Sequence, residues 1–218
     1  PICTLLPSLN KLSRERKVSV STARRTLSLL NGVGAVKSIK RIGTRVLPFH
    51  ETAGNCDFTN PVVRKRLLDV AQSLQILTLS CKAVSEITIS SLDAAGIQSS
   101  TQFLTTMETR QMYQLVSYDC LDLLRKFAPY EAIRTIYGEL LKQLFWGYGL
   151  RSMWKEDDAP TDFYISYYKT LLQSLKETDS IRFSRKLEEL MVHEFHLTIT
   201  KLVQLGIVEA EGLLIPDL

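Results

Sequence analysis

Apolar residues fall at every third or fourth position from Ala23 to Leu30. After Gly32 and Gly34 they interleave with cations on either side of Gly43. A chain with this rhythm has few ways to fold between Val18 and Phe49. Ser19 or Ser21 can accept a hydrogen bond from the open amides of a helix that starts near Thr22. Ala23, Leu27, Leu30 and Thr26 then share one face of that helix, and Arg24, Arg25 and Ser28 point elsewhere. Gly32 and Gly34 end it, since glycine enters left-handed conformations without steric cost. AVKSIKRIG and TRVLPF read as two short strands joined at Gly43, with Pro48 placed where a strand can end.

Upstream, residues 2–16 permit a first helix, interrupted by Pro7. Helix, turn, basic helix and a two-stranded basic hairpin is the layout of a winged helix-turn-helix. STARRTLSLLNGVGAVKSIKRIGTRVLPF resembles that superfamily: a Ser/Thr-started helix carrying arginine, then L-x-x-L-x-x-x-G-x-V over Leu27, Leu30, Gly34 and Val36, then a basic wing. The resemblance identifies a fold and no particular family. It implies that the helix lies in a groove of nucleic acid and presents Thr22, Arg24, Arg25 and Ser28. The wing would then bring Lys37, Lys40, Arg41 and Arg45 to phosphates. Arginine offers a planar fork to a guanine edge or a phosphate, and lysine a point charge.

Charge points the same way. The first 50 residues hold ten basic residues and a single acid, Glu15, a formal +9 that leaves −5 on the rest of a chain whose total is +4. A positive field gathered at one end favours an anionic partner: nucleic acid, acidic protein or a membrane surface. Contacts to phosphate supply most of such affinity and make it salt-dependent.

Residues 51–60 turn to Gly, Asn, Asp and Thr and read as a linker. PVVRKRLLDVAQSLQILTLSCKAV, 61–84, carries a broad apolar stripe behind Pro61, which suits the first position of a helix. EITISSLDAAGIQSS is open between a strand and a short helix. Helical blocks follow at about 101–127 and 130–146, an exposed loop at 147–162, and a helix from 162 or 163 to 178. The stretch from Ser180 holds two candidate helices and then KLVQLGIVEAEGLLIPD, a hairpin with its turn at Gly212. This region also resembles a winged helix. Residues 181–218 sum to −2, and Glu209 and Glu211 stand where the first wing has cations. Such a wing would repel phosphate, so a protein partner is expected there.

Other chemistry is thin. Cys3, Cys56, Cys81 and Cys120 are widely spaced, form no CxxC pair and read as reduced thiols, mostly in the core. His193 and His196 could share a helix face, but with no third ligand nearby they read as capping or core residues. His50 with Cys56 has the same shortfall. Glu156, Asp157 and Asp158 read as a solvated turn. The aromatic residues Phe145, Trp146, Tyr148 and Trp154 read as closing the helical core rather than as an exposed patch, and Tyr164, Tyr167 and Tyr168 as helix packing. No P-loop, GxGxxG, GxSxG or HExxH is present, so no set of acid, base and nucleophile can be named and a non-enzymatic protein without cofactor or metal is expected.

The apolar fraction of 45% and charged fraction of 23% are ordinary for a soluble globular protein. The N-terminus carries its charges after its apolar part, the reverse of a secretory signal. A first residue other than methionine fits a processed start or a piece of a longer chain. The sequence therefore leads to a mostly α-helical protein with winged-helix modules at both ends flanking a central helical region. Its parts are a basic module at 1–50, a linker at 51–60, a helical region at 61–160 and a winged-helix-like module at 161–218. The expected role is a DNA-binding subunit of a regulatory or chromosome-associated assembly, intracellular and nuclear, with protein partners or a second copy held by the helical region and the C-terminal module. Two alternatives stay open. One is a non-enzymatic interaction subunit that docks its basic end on an acidic protein. The other is a viral or peripheral protein that binds RNA or anionic membrane.

Overall fold

The computed structural model describes residues 5–32, 34–47, 57–110, 113–147, 150 and 160–209. The fold is mostly α-helical, with one small two-stranded sheet. It divides into two compact units: Pro1–Asp69 with Trp146–Met153, and Val70–Phe145 with Trp154–Leu218.

In the first unit, helix α1 spans Leu9–Arg16 and helix α2 spans Val20–Gly32. Ser8 caps α1 by accepting a hydrogen bond from the Lys11 amide at 3.4 Å. Lys17 ends it in the left-handed region at φ 51°, with its amide donating back to Ser13 and Arg14 carbonyls. The first helix, expected within 2–16 with an interruption at Pro7, begins beyond that proline at Leu9, and Leu5 and Leu6 before it are extended. The Leu6 amide donates to the Thr44 carbonyl at 2.8 Å, and Leu5 bridges Arg45. Pro7 explains this, because the residue before a proline is pushed out of the helical region.

Ser19 is the cap of α2, accepting from the Thr22 amide at 3.0 Å. Ala23 is buried and Leu27 and Leu30 are partly buried. Thr26, expected on the same face, is exposed instead and donates its hydroxyl back to the Thr22 carbonyl at 3.0 Å. Gly32 closes α2, and a Cβ there would sit 2.9 Å from Cγ2 of buried Val63, so this close approach requires glycine. Strands β1 (Val36–Ile39) and β2 (Gly43–Val46) pair antiparallel, with Val36 opposite Val46 and Ser38 opposite Thr44. Arg41 at φ 66° and Gly43 at φ 126° make the turn.

Helix α3 spans Pro61–Ser90; Asn60 accepts from the Val62 amide through its side chain at 2.9 Å. Residues 86–90, the first part of the segment 86–100 left open between strand and helix, continue it. Thr88 is buried and donates to the Val84 carbonyl at 2.7 Å, so a β-branched residue is satisfied within the helix. Asp93 then caps helix α4 (Ala94–Arg110) by accepting from the Gly96 amide at 2.7 Å. The single block expected over 101–127 is broken: a short 3₁₀ turn at Tyr113–Leu115 precedes helix α5 (Val116–Phe127). Helix α6 spans Glu131–Leu144, and Arg134 donates back to the Ala128 carbonyl at 2.6 Å beyond the end of α5.

Helices α7 (Thr161–Lys176) and α8 (Ser180–Gln204) are joined by a tight turn with Thr178 at φ 56°, and Asp179 caps α8. The two helices expected within 180–204 are one. No glycine or proline interrupts this stretch, and Phe183, Leu187, Leu190, Met191, Phe195 and Leu202 keep a helical period along the buried side. All of these but Leu202 share one core with Leu74, Leu77, Leu121, Leu124, Tyr164 and Tyr168. The hairpin expected over 201–217 needs correction at its start: residues 201–204 continue α8, and the Ile207 amide donates back to the Leu202 carbonyl at 2.9 Å. Its turn at Gly212 lies outside the described residues, as do His50, Tyr148, Trp154 and the acidic triplet at 156–158. Cys81 and Cys120 are buried, and burial pushes the Cys81 thiol up to about 12. Cys3 and Cys56 are outside the described residues. Among the described residues no helix is long and apolar enough to cross a membrane.

Candidate nucleic-acid interface

The start of α2 gathers hydroxyls. Ser19 Oγ lies 2.7 Å from Ser21 Oγ and 2.8 Å from Thr22 Oγ1, all three residues being exposed. Open amides at a helix start carry partial positive charge, and the adjoining hydroxyls add donors beside it. At about 100° per residue, Ser21, Arg24, Arg25 and Ser28 fall within roughly 100° of arc on the α2 surface, and Thr22 lies about 60° beyond. All are exposed. Neither Arg24 nor Arg25 makes an ion pair with a described residue.

Two grooves run along this surface. The larger, about 520 Å³, lies between α2, the hairpin and the chain before α1, and is lined by Arg24, Ser28, Asn31, Ser38, Thr44 and Leu6 among others. The smaller, about 330 Å³, lies between α2 and the start of α3, lined by Ser21, Arg24, Arg25, Ser28, Leu29, Asn60 and Val62. Arg24 and Ser28 border both. Arg25 borders only the smaller one.

The hairpin sorts the four wing cations into two groups. Lys40 and Arg41 are exposed at the turn. Lys37 and Arg45 stand directly opposite each other in the ladder. Side chains alternate faces along a strand, so this pair lies on the hairpin face opposite Ser38 and Thr44, the residues that line the larger groove. Lys37 is exposed and Arg45 is half-buried. Like charges placed directly opposite each other are unfavourable in a hairpin. Nearby, Lys11 is paired with Glu15 at 3.8 Å, which offsets the one acid in this region.

The sequence singled out Thr22, Arg24, Arg25 and Ser28 on α2 and Lys37, Lys40, Arg41 and Arg45 on the hairpin as candidates. The structure brings Arg24 and Ser28 together with Ser38 and Thr44 in one groove. Asn31, Ser38 and Thr44 also line that groove and were not singled out from the sequence. For Ser38 and Thr44 the signal was their position between the cations, on alternate residues of the same two strands.

The second unit offers less. His193 is half-buried with its ring 4.5 Å from that of Phe163, and burial lowers its pKa below the ordinary 6.5. His196 is exposed. Among the described residues no group of three or more His, Cys, Asp or Glu is placed to hold a metal ion. Tyr164 and Tyr168 are fully buried. Trp146, which belongs to the first unit, is partly buried with the Arg66 guanidinium 5.6 Å from its ring.

No protein-family model and no curated protein sequence matches the chain. Among solved structures, the chain is similar to a GntR protein of Streptococcus agalactiae, at 12% identity over 90% of each chain with a TM-score of 0.47. It is similar to a transcriptional regulator of the GntR family from Pseudomonas syringae pv. tomato, at 15% identity over 90% of this chain and 77% of the other, with a TM-score of 0.43. A third similar structure is that of Lar, described as controlling expression of the Listeria monocytogenes agr system and mediating virulence, at 14% identity over 92% and 87% with a TM-score of 0.40. The nuclear location expected from the sequence is corrected by these comparisons: all three similar structures are bacterial proteins, and bacteria have no nucleus.

Proposed function

We propose that the protein is a DNA-binding regulatory protein that holds duplex DNA through its first unit. One observation carries this reading: Arg24, Arg25, Lys40 and Arg41 are exposed, make no ion pair with a described residue, and stand on the two elements that border a groove of mixed polar and apolar lining. A helix of this size fits the major groove of B-DNA, which is about 12 Å wide. Arg24 and Ser28 on α2 then face base edges, and Lys40 and Arg41 at the hairpin turn meet the phosphate backbone. The second unit, which carries no comparable surplus of cations, holds protein contacts.

The test is fluorescence anisotropy of labelled duplex DNA with the full chain over a salt series. The expected result is micromolar or tighter binding at low salt with a steep fall as salt rises. Replacing Lys40 and Arg41 together by glutamine should reduce the slope of log K against log salt by about 2, at roughly 0.9 for each phosphate that is no longer neutralised. Absence of binding at low salt, or a slope unchanged by the double substitution, rejects the proposal.

A further inference from the structure

Nine consecutive residues, 14–22, are exposed across the end of α1 and the start of α2. Lys17 stands in the left-handed region between the helices, and Val18 and Ser19 lie outside both. Little holds this stretch in place. No residue of α1 is buried. The turn is closed by hydrogen bonds at the surface: the Val18 amide donates to the Ser13 carbonyl at 3.1 Å, and the Ser13 hydroxyl to the Val18 carbonyl at 2.6 Å. An eight-residue helix is marginal on its own, and a segment that buries so little opens at small cost. The chain from Arg14 to Ser19 can therefore straighten without disturbing a core.

The cations of this stretch are ordered around one hydroxyl. Arg14, Arg16 and Lys17 stand five, three and two residues before Ser19. Of all the serines and threonines in the chain, Ser19 alone has cations at both the second and the third position before it. Ser28 and Thr44 have one arginine each at the third position, Arg25 and Arg41. Ser28 lies within α2, however, and Thr44 in the β1–β2 ladder, so an extended groove reaches them only by taking apart an ordered element. Glu15, the one acid nearby, lies 3.8 Å from Lys11, which offsets it. Protein kinases choose an acceptor by matching charge along an extended substrate segment, and an acidic groove fits cations on the N-terminal side of the hydroxyl.

We infer that Ser19 is the acceptor site of a serine kinase with an acidic substrate groove, and that phosphorylation there releases the basic head from DNA. Release rests on the DNA-binding reading, whereas the acceptor site stands without it. In the transfer, Ser19 Oγ bonds to the γ-phosphorus of ATP and the bond from that phosphorus to the β,γ-bridging oxygen breaks. ADP leaves, and the hydroxyl proton passes to the catalytic aspartate of the kinase. The product adds a charge of about −1.5 to −2 at pH 7, next to the Ser21 and Thr22 hydroxyls that Ser19 Oγ touches at 2.7 and 2.8 Å. It meets DNA phosphate with like charge and draws off cations of the head. Phosphate oxygens also accept from the Thr22 amide that Ser19 caps, so α2 stays folded.

The full chain is incubated with Mg-ATP and a serine kinase selective for arginine three residues before its acceptor, and the phosphate is located by tandem mass spectrometry. One phosphate per chain, on Ser19, is expected. Arg16→Ala and Lys17→Ala, both at exposed positions, should each lower kcat/KM for the transfer roughly 10-fold, with circular dichroism unchanged. No incorporation, phosphate on Ser28 or Thr44 in preference to Ser19, or rates indifferent to both substitutions overturns the site. By anisotropy at low salt, the phosphorylated chain should bind duplex DNA roughly 10-fold or more weakly than the unmodified chain, with the same thermal midpoint. Equal affinity of the two forms, or a lowered midpoint that assigns the loss to unfolding, overturns the release. An unmodified chain that binds no DNA rejects the DNA-binding reading instead, and the position of the phosphate still decides whether Ser19 is the acceptor.

Discussion

Lys37 and Arg45 stand directly opposite each other across the β1–β2 ladder, two cations at one position of a small hairpin. Such a pair weakens the hairpin by about 0.2–1 kcal/mol relative to a neutral pair. Lys37→Thr should therefore raise the stability of the free protein by that amount in urea unfolding. It should also lower DNA affinity and reduce the salt slope by about 1, as expected when one phosphate is no longer neutralised. A variant that is both less stable and unchanged in DNA binding removes this face from the interface.

Arg24 borders both grooves beside α2, and Arg25 only the smaller one. Arg24→Ala is expected to reduce discrimination between a specific site and random duplex by about 1–3 kcal/mol. Arg25→Ala should weaken both by a similar factor. Competition anisotropy with unlabelled specific and random duplexes separates the two effects, and equal behaviour of the two variants would remove the distinction.

Inside the second unit, the Ser117 hydroxyl donates to Glu194 Oε2 at 2.6 Å, and Glu194 is only 3% exposed. Ser117→Ala leaves a buried carboxylate short of a donor and should cost about 1–3 kcal/mol in urea unfolding. Replacing both partners, with Glu194→Leu added, should cost less than the sum of the two single changes. An additive double variant would mean that the hydrogen bond contributes little.

His193 makes stability depend on pH. Burial holds its pKa below the ordinary 6.5, so the unfolded chain takes up this proton more readily than the folded one. Stability from this residue is present above about pH 6.5 and falls as pH drops through that value toward the depressed folded pKa. His193→Gln removes the contribution, so the difference in urea midpoint between wild type and variant should shift against the wild type from about pH 7.5 to about pH 5.5. A difference that stays constant over that range would show that His193 titrates alike in both states.

The elements best marked in the sequence were those whose ends are set by local chemistry. Ser19 before α2, Gly34 after it and Gly43 at the hairpin turn, both at positive φ, and Pro61 at the start of α3 each act through a local hydrogen bond or local backbone geometry, so their roles can be assigned without tertiary context, whereas Gly32 is required by its approach to Val63. Residues 86–90 could not be assigned that way. Glu-Ile-Thr-Ile suits a strand by composition, and it is the burial of Ile89 and Thr88 against the core that holds it helical. The candidate site divides along the same line. Exposed Arg24 and Arg25 follow from helical period alone. The separation of Lys37 and Arg45 from the groove face depends on the register of β1 against β2, which the order of residues does not specify.

The contact between Gly32 and Val63 bears on how this protein could be taken apart. The Asp57 amide also donates to the Gly32 carbonyl at 2.6 Å, so the end of α2 is sealed by chain that follows the hairpin. A fragment cut after residue 50 would lose that seal and expose the end of the helix that carries the arginines. Any transplant of the basic head onto another protein must therefore bring residues 57–69 with it and make its seam inside a helix. The graft would have to continue that helix, because a flexible joint placed at residue 50 would separate the head from part of its own fold.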